Sequence, residues 1–174
     1  MLPAGRIPCR RLVLGLGSNL GDRGKFLANA TALIAGLDGV EVRACSSIVE
    51  TPPAGGPPQA DYLNAALLVV SSLGLDALIS ATFAIERQLG RVRPDPIRWG
   101  PRTIDIDLLW CEGEASDATS VLVPHPRLRE RPFALQPLLE VAPDACDPRT
   151  GERYDALPAA RVTLHRTGEL RRPS

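Results

Sequence analysis

The sequence predicts an α+β fold: a mainly antiparallel, ferredoxin-like βαββαβ sandwich with helices on one face of the sheet, plus a C-terminal extension. Three observations carry this reading. Short apolar or alternating runs and two stretches of helical period follow one another in the order strand, helix, strand, strand, helix, strand. The chain has 174 residues, which suits one domain. No repeat with a period of about 20–50 residues interrupts the order, which excludes a solenoid.

Taken in order, residues 11–18 form an apolar run ending in glycines and read as a buried strand. Asp22 has the character of an N-cap, and Phe26, Leu27, Ala30, Leu33, Ile34 and Leu37 recur at helical spacing until Gly39. Val40 to Glu50 alternates and reads as one second strand. Thr51-Pro-Pro-Ala-Gly-Gly-Pro-Pro58 holds four prolines and two glycines and must be a loop. Tyr62 to Ser71 is the third strand, and Leu75 to Leu89, with Gly90 beyond it, is the second helix. A second irregular loop, 91–101, precedes the fourth strand, Thr103 to Trp110. A polar turn then leads to Val121 and Val123, and Ala134 to Val141 is a short helix ahead of Pro143. Residues 1–10 and 158–174 are expected to be flexible extensions of a domain spanning 11–157.

Composition narrows the function. With 44% hydrophobic and 23% charged residues the chain is of ordinary globular type, and no apolar run approaches the roughly 20 residues of a membrane span. Cys9, Cys45, Cys111 and Cys146 are too scattered for a zinc finger, and residues 1–11 lack a signal-peptide core; reduced thiols in a cytoplasmic protein are the expectation. Residues 1–11 hold three arginines and no acid, and residues 158–174 hold four arginines and one acid. Since the net charge is zero, the interior is acidic, which suits a cation site and argues against nucleic acid as a partner. The alternative of an RNA-binding sheet also lacks an aromatic-rich central strand. A metabolite-binding domain without turnover remains a third reading.

The chemistry concentrates in Arg98-Trp-Gly-Pro-Arg-Thr-Ile-Asp-Ile-Asp-Leu-Leu109. In a strand, Asp105 and Asp107 project from one face about 6.6 Å apart at Cα, while Ile104, Ile106 and Leu108 face the core. Such a pair is either the wet half of an amphipathic strand or a seat for one or two Mg²⁺. Arg87, Arg91, Arg93, Arg98 and Arg102 precede or flank the pair, and Arg127, Arg129 and Arg131 follow the next strand. Carboxylates for a cation beside guanidinium forks for phosphate oxygens are what a magnesium nucleoside triphosphate requires, although some of these arginines must be plain surface charge. His125 is either a turn histidine or a phosphate donor. Tyr62, Trp99 and Phe133 are either packing residues or a stacking platform for a flat heterocycle. Gly15-Leu-Gly17-Ser-Asn-Leu-Gly21 has the wrong glycine spacing for a dinucleotide fingerprint, and no P-loop lysine motif is present.

Seven blocks in order, Gly17-Ser-Asn-Leu20, Thr51-Pro-Pro53, Asp61-Tyr-Leu-Asn-Ala-Ala66, Glu86 through Gly90-Arg-Val-Arg93, Arg98 to Leu109, Val123-Pro-His125 and Arg131-Pro-Phe-Ala-Leu135, resemble the 6-hydroxymethyl-7,8-dihydropterin pyrophosphokinase family over roughly residues 12–145. The resemblance implies transfer of pyrophosphate from ATP to the hydroxymethyl oxygen of the pterin, releasing AMP, in tetrahydrofolate biosynthesis. It implies that Asp105 and Asp107 bind two Mg²⁺ and act with Arg91 and Arg102 in catalysis. Arg102, His125 and Glu86 would lie at the nucleotide, and Arg91, Arg93 and Arg131 near its phosphates. Asn64 and the backbone of Thr51, Pro52, Pro53 and Ala54 would bind the pterin, stacked between Tyr62 and Phe133, with Trp99 closing over both ligands. The general base is left open between Asp107 and solvent, and the assembly expected is a monomer or weak homodimer. Two departures stand out: the loop after Arg93 reads Pro94-Asp-Pro-Ile97, without the family's frequent lysine, and Pro126 follows His125 where a polar aromatic is common.

Overall fold

β1 (Arg10–Ser18) is the axis on which the molecule is built. In the computed structural model, which describes residues 9–173, it pairs antiparallel with β5 (Asp105–Cys111) on one side and β4 (Tyr62–Ser71) on the other. β4 carries both β2 (Val40–Cys45) and β3 (Ser47–Thr51) along its far edge, and β8 (His165–Glu169) adds to β3. The resulting order is β5-β1-β4-β3-β8, with every pair antiparallel, and β6 (Ser116–Ala118) and β7 (Val121–Val123) form a separate hairpin.

The single strand expected over 40–50 is broken at Ser46. Its Oγ accepts from the Ala66 N–H at 2.8 Å and donates to the Ser47 carbonyl at 2.7 Å, so a side chain takes over one rung of the ladder while both halves keep their pairing to β4.

The alternation of β1 decides what lies on each face. Leu12, Leu14 and Leu16 point to the side covered by α1 (Arg23–Ala35) and α2 (Leu75–Gln88), where they meet Leu27, Ile34, Leu78, Ile85, Ile106 and Leu108. Asp22 caps α1, its side chain accepting from the Lys25 N–H at 3.1 Å. Complete burial of each of these leucines stabilises the fold by about 2 kcal/mol.

The expectation of helices on one face only does not hold. α3 (Pro132–Val141) packs on the opposite face, where Leu135, Leu138 and Val141 cover Val13, Ala66, Leu109 and Trp110. That face is apolar over this half, so leaving it wet would cost several kcal/mol. The helix therefore covers it and leaves open only the half where β1 presents Gly15 and Gly17 and β5 presents the two aspartates.

The segment 158–174, expected to be a flexible tail, contains a short 3-10 turn (Pro158–Arg161) and β8, and it sends Leu170 into the core at 7% exposure. Backbone pairing to β3 orders it, along with the Leu170 N–H donating to the Ser46 carbonyl and an Arg166–Glu140 ion pair. Of the N-terminal extension, residues 1–8 lie outside the described residues.

Candidate active site

The open half of the second face is a cleft of about 140 Å³, continuous with solvent. Its floor is made by two strand registers: Gly15 lies opposite Asp107 and Gly17 opposite Asp105. A Cβ built on Gly15 would come within 2.9 Å of Leu109, and one on Gly17 within 3.2 Å of Asn64 Oδ1, so the two glycines leave room that any other residue would fill. The motif that fails as a dinucleotide fingerprint thus has a different use.

Twelve of the residues singled out in the sequence line this cleft. Asp105, Asp107, Arg102 and Arg131 lie toward the floor, and Thr51, Pro52, Pro53, Ala54, Tyr62, Asn64, Trp99 and Phe133 form the walls and rim. Asn64 donates its amide to Thr51 Oγ1 at 2.9 Å, and the Tyr62 hydroxyl donates to the Gly100 carbonyl at 3.4 Å. Trp99 is 55% exposed, adopts a left-handed φ of 57° and stacks beneath the Arg98 guanidinium, 4.9 Å from the ring centre.

Four others are not on the cleft surface. Glu86 is completely buried and accepts four hydrogen bonds, from Arg91 Nη1 at 2.7 Å, Arg93 Nη2 and Nε at 2.6 and 3.0 Å, and the Ile106 N–H at 2.8 Å. Burial pushes its carboxyl up, opposed by the charge of Arg91 and by the hydrogen bonds from Arg93 and the Ile106 N–H. Glu86, expected at the nucleotide, instead anchors two arginines to the back of β5. The sequence held a signal for this: Glu86 follows Thr82 by four residues on the buried stripe of α2. Arg91 is itself only 7% exposed and bonds to Glu86, Asp105 and the Ile104 carbonyl as well as to Asp95. Arg93 reaches outward over the Phe83 ring at 4.4 Å. His125 sits at the cleft's side, its Nδ1 accepting from the Arg127 N–H at 3.2 Å, which leaves Nε2–H as its free donor. Burial and the charges of Arg131 and Arg127 bring its pKa down to about 4, so the ring is neutral at neutral pH.

The two aspartates differ. Asp105 is gripped by Arg91 and by Arg102 Nη1 at 2.9 Å, whereas Asp107 has no ion pair among the described residues. Burial pushes the Asp107 carboxyl up to about 7, aided by the charges of Asp105 and Glu86 and opposed by Arg131 and Arg91. A half-buried carboxyl group with no ion pair, beside a second carboxylate, is a fit for a hard divalent cation. No group of three or more metal-ligating side chains exists among the described residues. A cation held here must therefore complete its shell with water and the oxygens of another ligand, the usual arrangement for magnesium on phosphates. On the other side, Arg131 has no ion pair among the described residues and a buried, unpartnered Nε, and burial, followed by the charge of Arg127, weakens its hold on the proton. Two neighbouring guanidinium groups without tight carboxylate partners leave a place for an anion.

Three residues in or next to the cleft were given no individual role from the sequence. Arg127 was counted only among the cluster of arginines. Gln59 closes the proline-rich loop, with Nε2 donating to the Trp99 carbonyl at 2.8 Å. Asn19 is 3% exposed and joins both loops, donating to Gln59 Oε1 and the Ala60 carbonyl, each at 2.9 Å, and accepting from the Arg102 N–H at 2.8 Å. For Asn19 the position inside the Gly17 to Leu20 block was a signal; for Gln59 there was none.

An acid pair, guanidinium forks and flat rings around one cleft are a combination that suits an enzyme acting on phosphate groups beside a heterocycle. The family model for 7,8-dihydro-6-hydroxymethylpterin-pyrophosphokinase (HPPK) matches residues 13–143. Relatives named 2-amino-4-hydroxy-6-hydroxymethyldihydropteridine pyrophosphokinase occur in Synechocystis sp., 41% identical over 144 residues (83% of this chain and 72% of that one), and in Methylorubrum extorquens, 45% identical over 134 residues (77% and 84%). One from Bacillus subtilis is 44% identical over 128 residues (74% and 75%). The chain belongs to this family and is an enzyme, a pyrophosphokinase. Among solved structures it is similar to an HPPK-DHPS in complex with substrates and to Plasmodium falciparum HPPK-DHPS with pteroate, each at a TM-score of 0.64. At 11% identity these show the fold alone, and this chain spans 43% of the length of each.

Proposed function

We propose that the protein transfers the terminal pyrophosphoryl group of ATP to the hydroxymethyl oxygen of 6-hydroxymethyl-7,8-dihydropterin, a step of tetrahydrofolate biosynthesis. The new bond joins that oxygen to the β-phosphorus; the bond from the β-phosphorus to the α,β-bridging oxygen breaks, AMP leaves with that oxygen, and the hydroxyl proton passes to Asp107 or to solvent. The observation that carries the reading is the pair Asp105 and Asp107 on one face of β5, at the floor of a cleft rimmed by Tyr62, Trp99 and Phe133.

Asp105 and Asp107 would hold two Mg²⁺, which when bound neutralise phosphate charge and polarise the reacting oxygens. Arg102 and Arg131 would take phosphate oxygens in the cleft, while Glu86 fixes Arg91 and Arg93 behind it. The neutral His125 ring would donate to the nucleotide from Nε2. Thr51 to Ala54 and Asn64 line the same space as Tyr62 and Phe133, which supports a pterin site there. In-line positioning and charge neutralisation supply most of the barrier reduction in such a transfer. The β5-β1-β4-β3 order with α1 and α2 on one face supports a ferredoxin-like core. A cytoplasmic monomer or weak homodimer without a nucleic-acid partner remains the expectation; no helix among the described residues is long and apolar enough to cross a membrane.

Incubation with ATP, Mg²⁺ and the reduced pterin should yield AMP and the pterin diphosphate, resolved by chromatography. Formation of ADP, or AMP formation independent of the pterin, overturns the proposal. Asp107→Ala should reduce turnover by at least about a hundredfold while circular dichroism and the melting temperature remain near wild type.

A further inference from the structure

Asp95 lies in the segment Pro94-Asp-Pro-Ile97, and its carboxylate bonds to two arginines of the site, Arg102, which lines the cleft, and Arg91, which lies behind it. Arg91 presents two edges. Its inner Nη1 is spent on Glu86, Asp105 and the Ile104 carbonyl, and its remaining Nε and Nη2 donate to Asp95 Oδ1 and Oδ2 at 3.3 and 3.4 Å. Arg102 divides itself the same way, with Nη1 on Asp105 at 2.9 Å and Nη2 on Asp95 Oδ2 at 2.8 Å. One carboxylate thus fills the outward fork of Arg91 and one arm of Arg102, a contact set that two oxygens of a phosphate group would satisfy equally well. Asp95 is nevertheless a surface-loop residue, its side chain 23% exposed, and a proline on each side restricts the backbone that presents it.

We propose that Asp95 is an internal competitor for the nucleotide's phosphates: it occupies Arg91 and Arg102 in the free enzyme, and ATP binding exchanges its carboxylate for phosphate oxygens. This rests on the proposed function, which places a triphosphate in the cleft. The exchange has two consequences. Apparent affinity is lowered by the fraction of molecules in which the arginines are released, so Asp95 sets the nucleotide affinity of this chain. It also ties phosphate binding to the position of loop 91–101, because the residue that leaves belongs to the same loop as Trp99.

The sign of a substitution separates this from a scaffolding role. Asp95→Asn retains the side-chain volume and removes the charge; it should tighten Mg²⁺·ATP and Mg²⁺·tripolyphosphate binding about tenfold in calorimetric titration and leave adenosine, which has no phosphates, unchanged. Asp95→Glu, which keeps the charge, should stay within about threefold of wild type and serves as the second variant should Asp95→Asn fold poorly. Asp61→Asn removes an exposed carboxylate at the end of the other loop and controls for net charge; it should move ATP affinity by less than about twofold. Unchanged or weakened ATP binding in Asp95→Asn overturns the proposal, as does equal tightening in Asp61→Asn or a parallel change for adenosine. If the wild type binds neither ATP nor tripolyphosphate, the proposed function falls, and this inference with it.

Discussion

His125 is a group whose ordinary pKa of about 6.5 is brought down to about 4 by burial and by two neighbouring arginines. The folded protein therefore binds fewer protons than the unfolded chain between these values. Stability is undiminished above pH 6.5 and declines as the pH falls toward 4. After allowance for partial solvent exposure, the cost on going from about pH 7 to about pH 4.5 is about 2 kcal/mol. His125→Gln keeps a donor and does not titrate, so its urea-unfolding free energy should fall by about 2 kcal/mol less than that of wild type over the same interval. Equal losses would mean that the ring protonates without cost in the fold. At this scale the sequence was most legible where a period exposes geometry: two aspartates two apart in a strand had to share a face. It was least legible where a role depends on which groups converge, as with Glu86: its place on the buried stripe of α2 signalled burial but not the four donor atoms of Arg91, Arg93 and Ile106 that meet it.

Among the elements, the two loops over the cleft are tied to each other and to the end of β1. Gly56 lies so close to the Trp99 carbonyl that a Cβ would approach it to 2.4 Å, and Gln59 bonds the same carbonyl. Asn19, one residue past β1, then holds Gln59 and Ala60 from one loop and Arg102 from the end of the other. Asn19→Ala would leave the part-buried Arg102 N–H and Ala60 carbonyl without this partner, at a cost of about 1 kcal/mol, and would release both loops together. Melting temperature should fall, and KM should rise for ATP and for the pterin alike; KM values unchanged for both would show that other contacts hold the loops. Strand β4 was readable to the residue because its apolar run is bounded by clear turn signals. The break at Ser46 was not, since nothing in the residue pattern showed that the buried positions change parity across it, from Val40 and Val42 to Val49 and Thr51.

At the scale of the whole molecule, the sheet is closed on one face by α1 and α2 and half closed on the other by α3, so the cleft exists because the second layer stops short. The chain could not have been read this way from its strand and helix order alone, because α3 lies beyond that order and its apolar stripe does not state which face it covers. β8 poses the same difficulty more sharply: all five of its residues are exposed, so no hydrophobic period marks it, and backbone pairing with β3, joined by the Arg166–Glu140 ion pair, orders it. Its contribution should be energetic, not catalytic. Removing residues 163–174 strips the β3 edge of its partner, deletes the buried Leu170 side chain and breaks the Arg166–Glu140 pair, while the Gln136 bond to the Ala159 carbonyl remains. Burial of Leu170 alone is worth about 2 kcal/mol, with the exposed ion pair adding little. The truncated protein should therefore unfold at lower urea with a stability loss of about 2–3 kcal/mol, yet form AMP within a few-fold of the full-length rate at temperatures below its transition. A truncation that leaves the unfolding midpoint unmoved would show that β8 contributes no net stability, and one that abolishes turnover in a folded protein would place the C-terminal segment in the reaction itself.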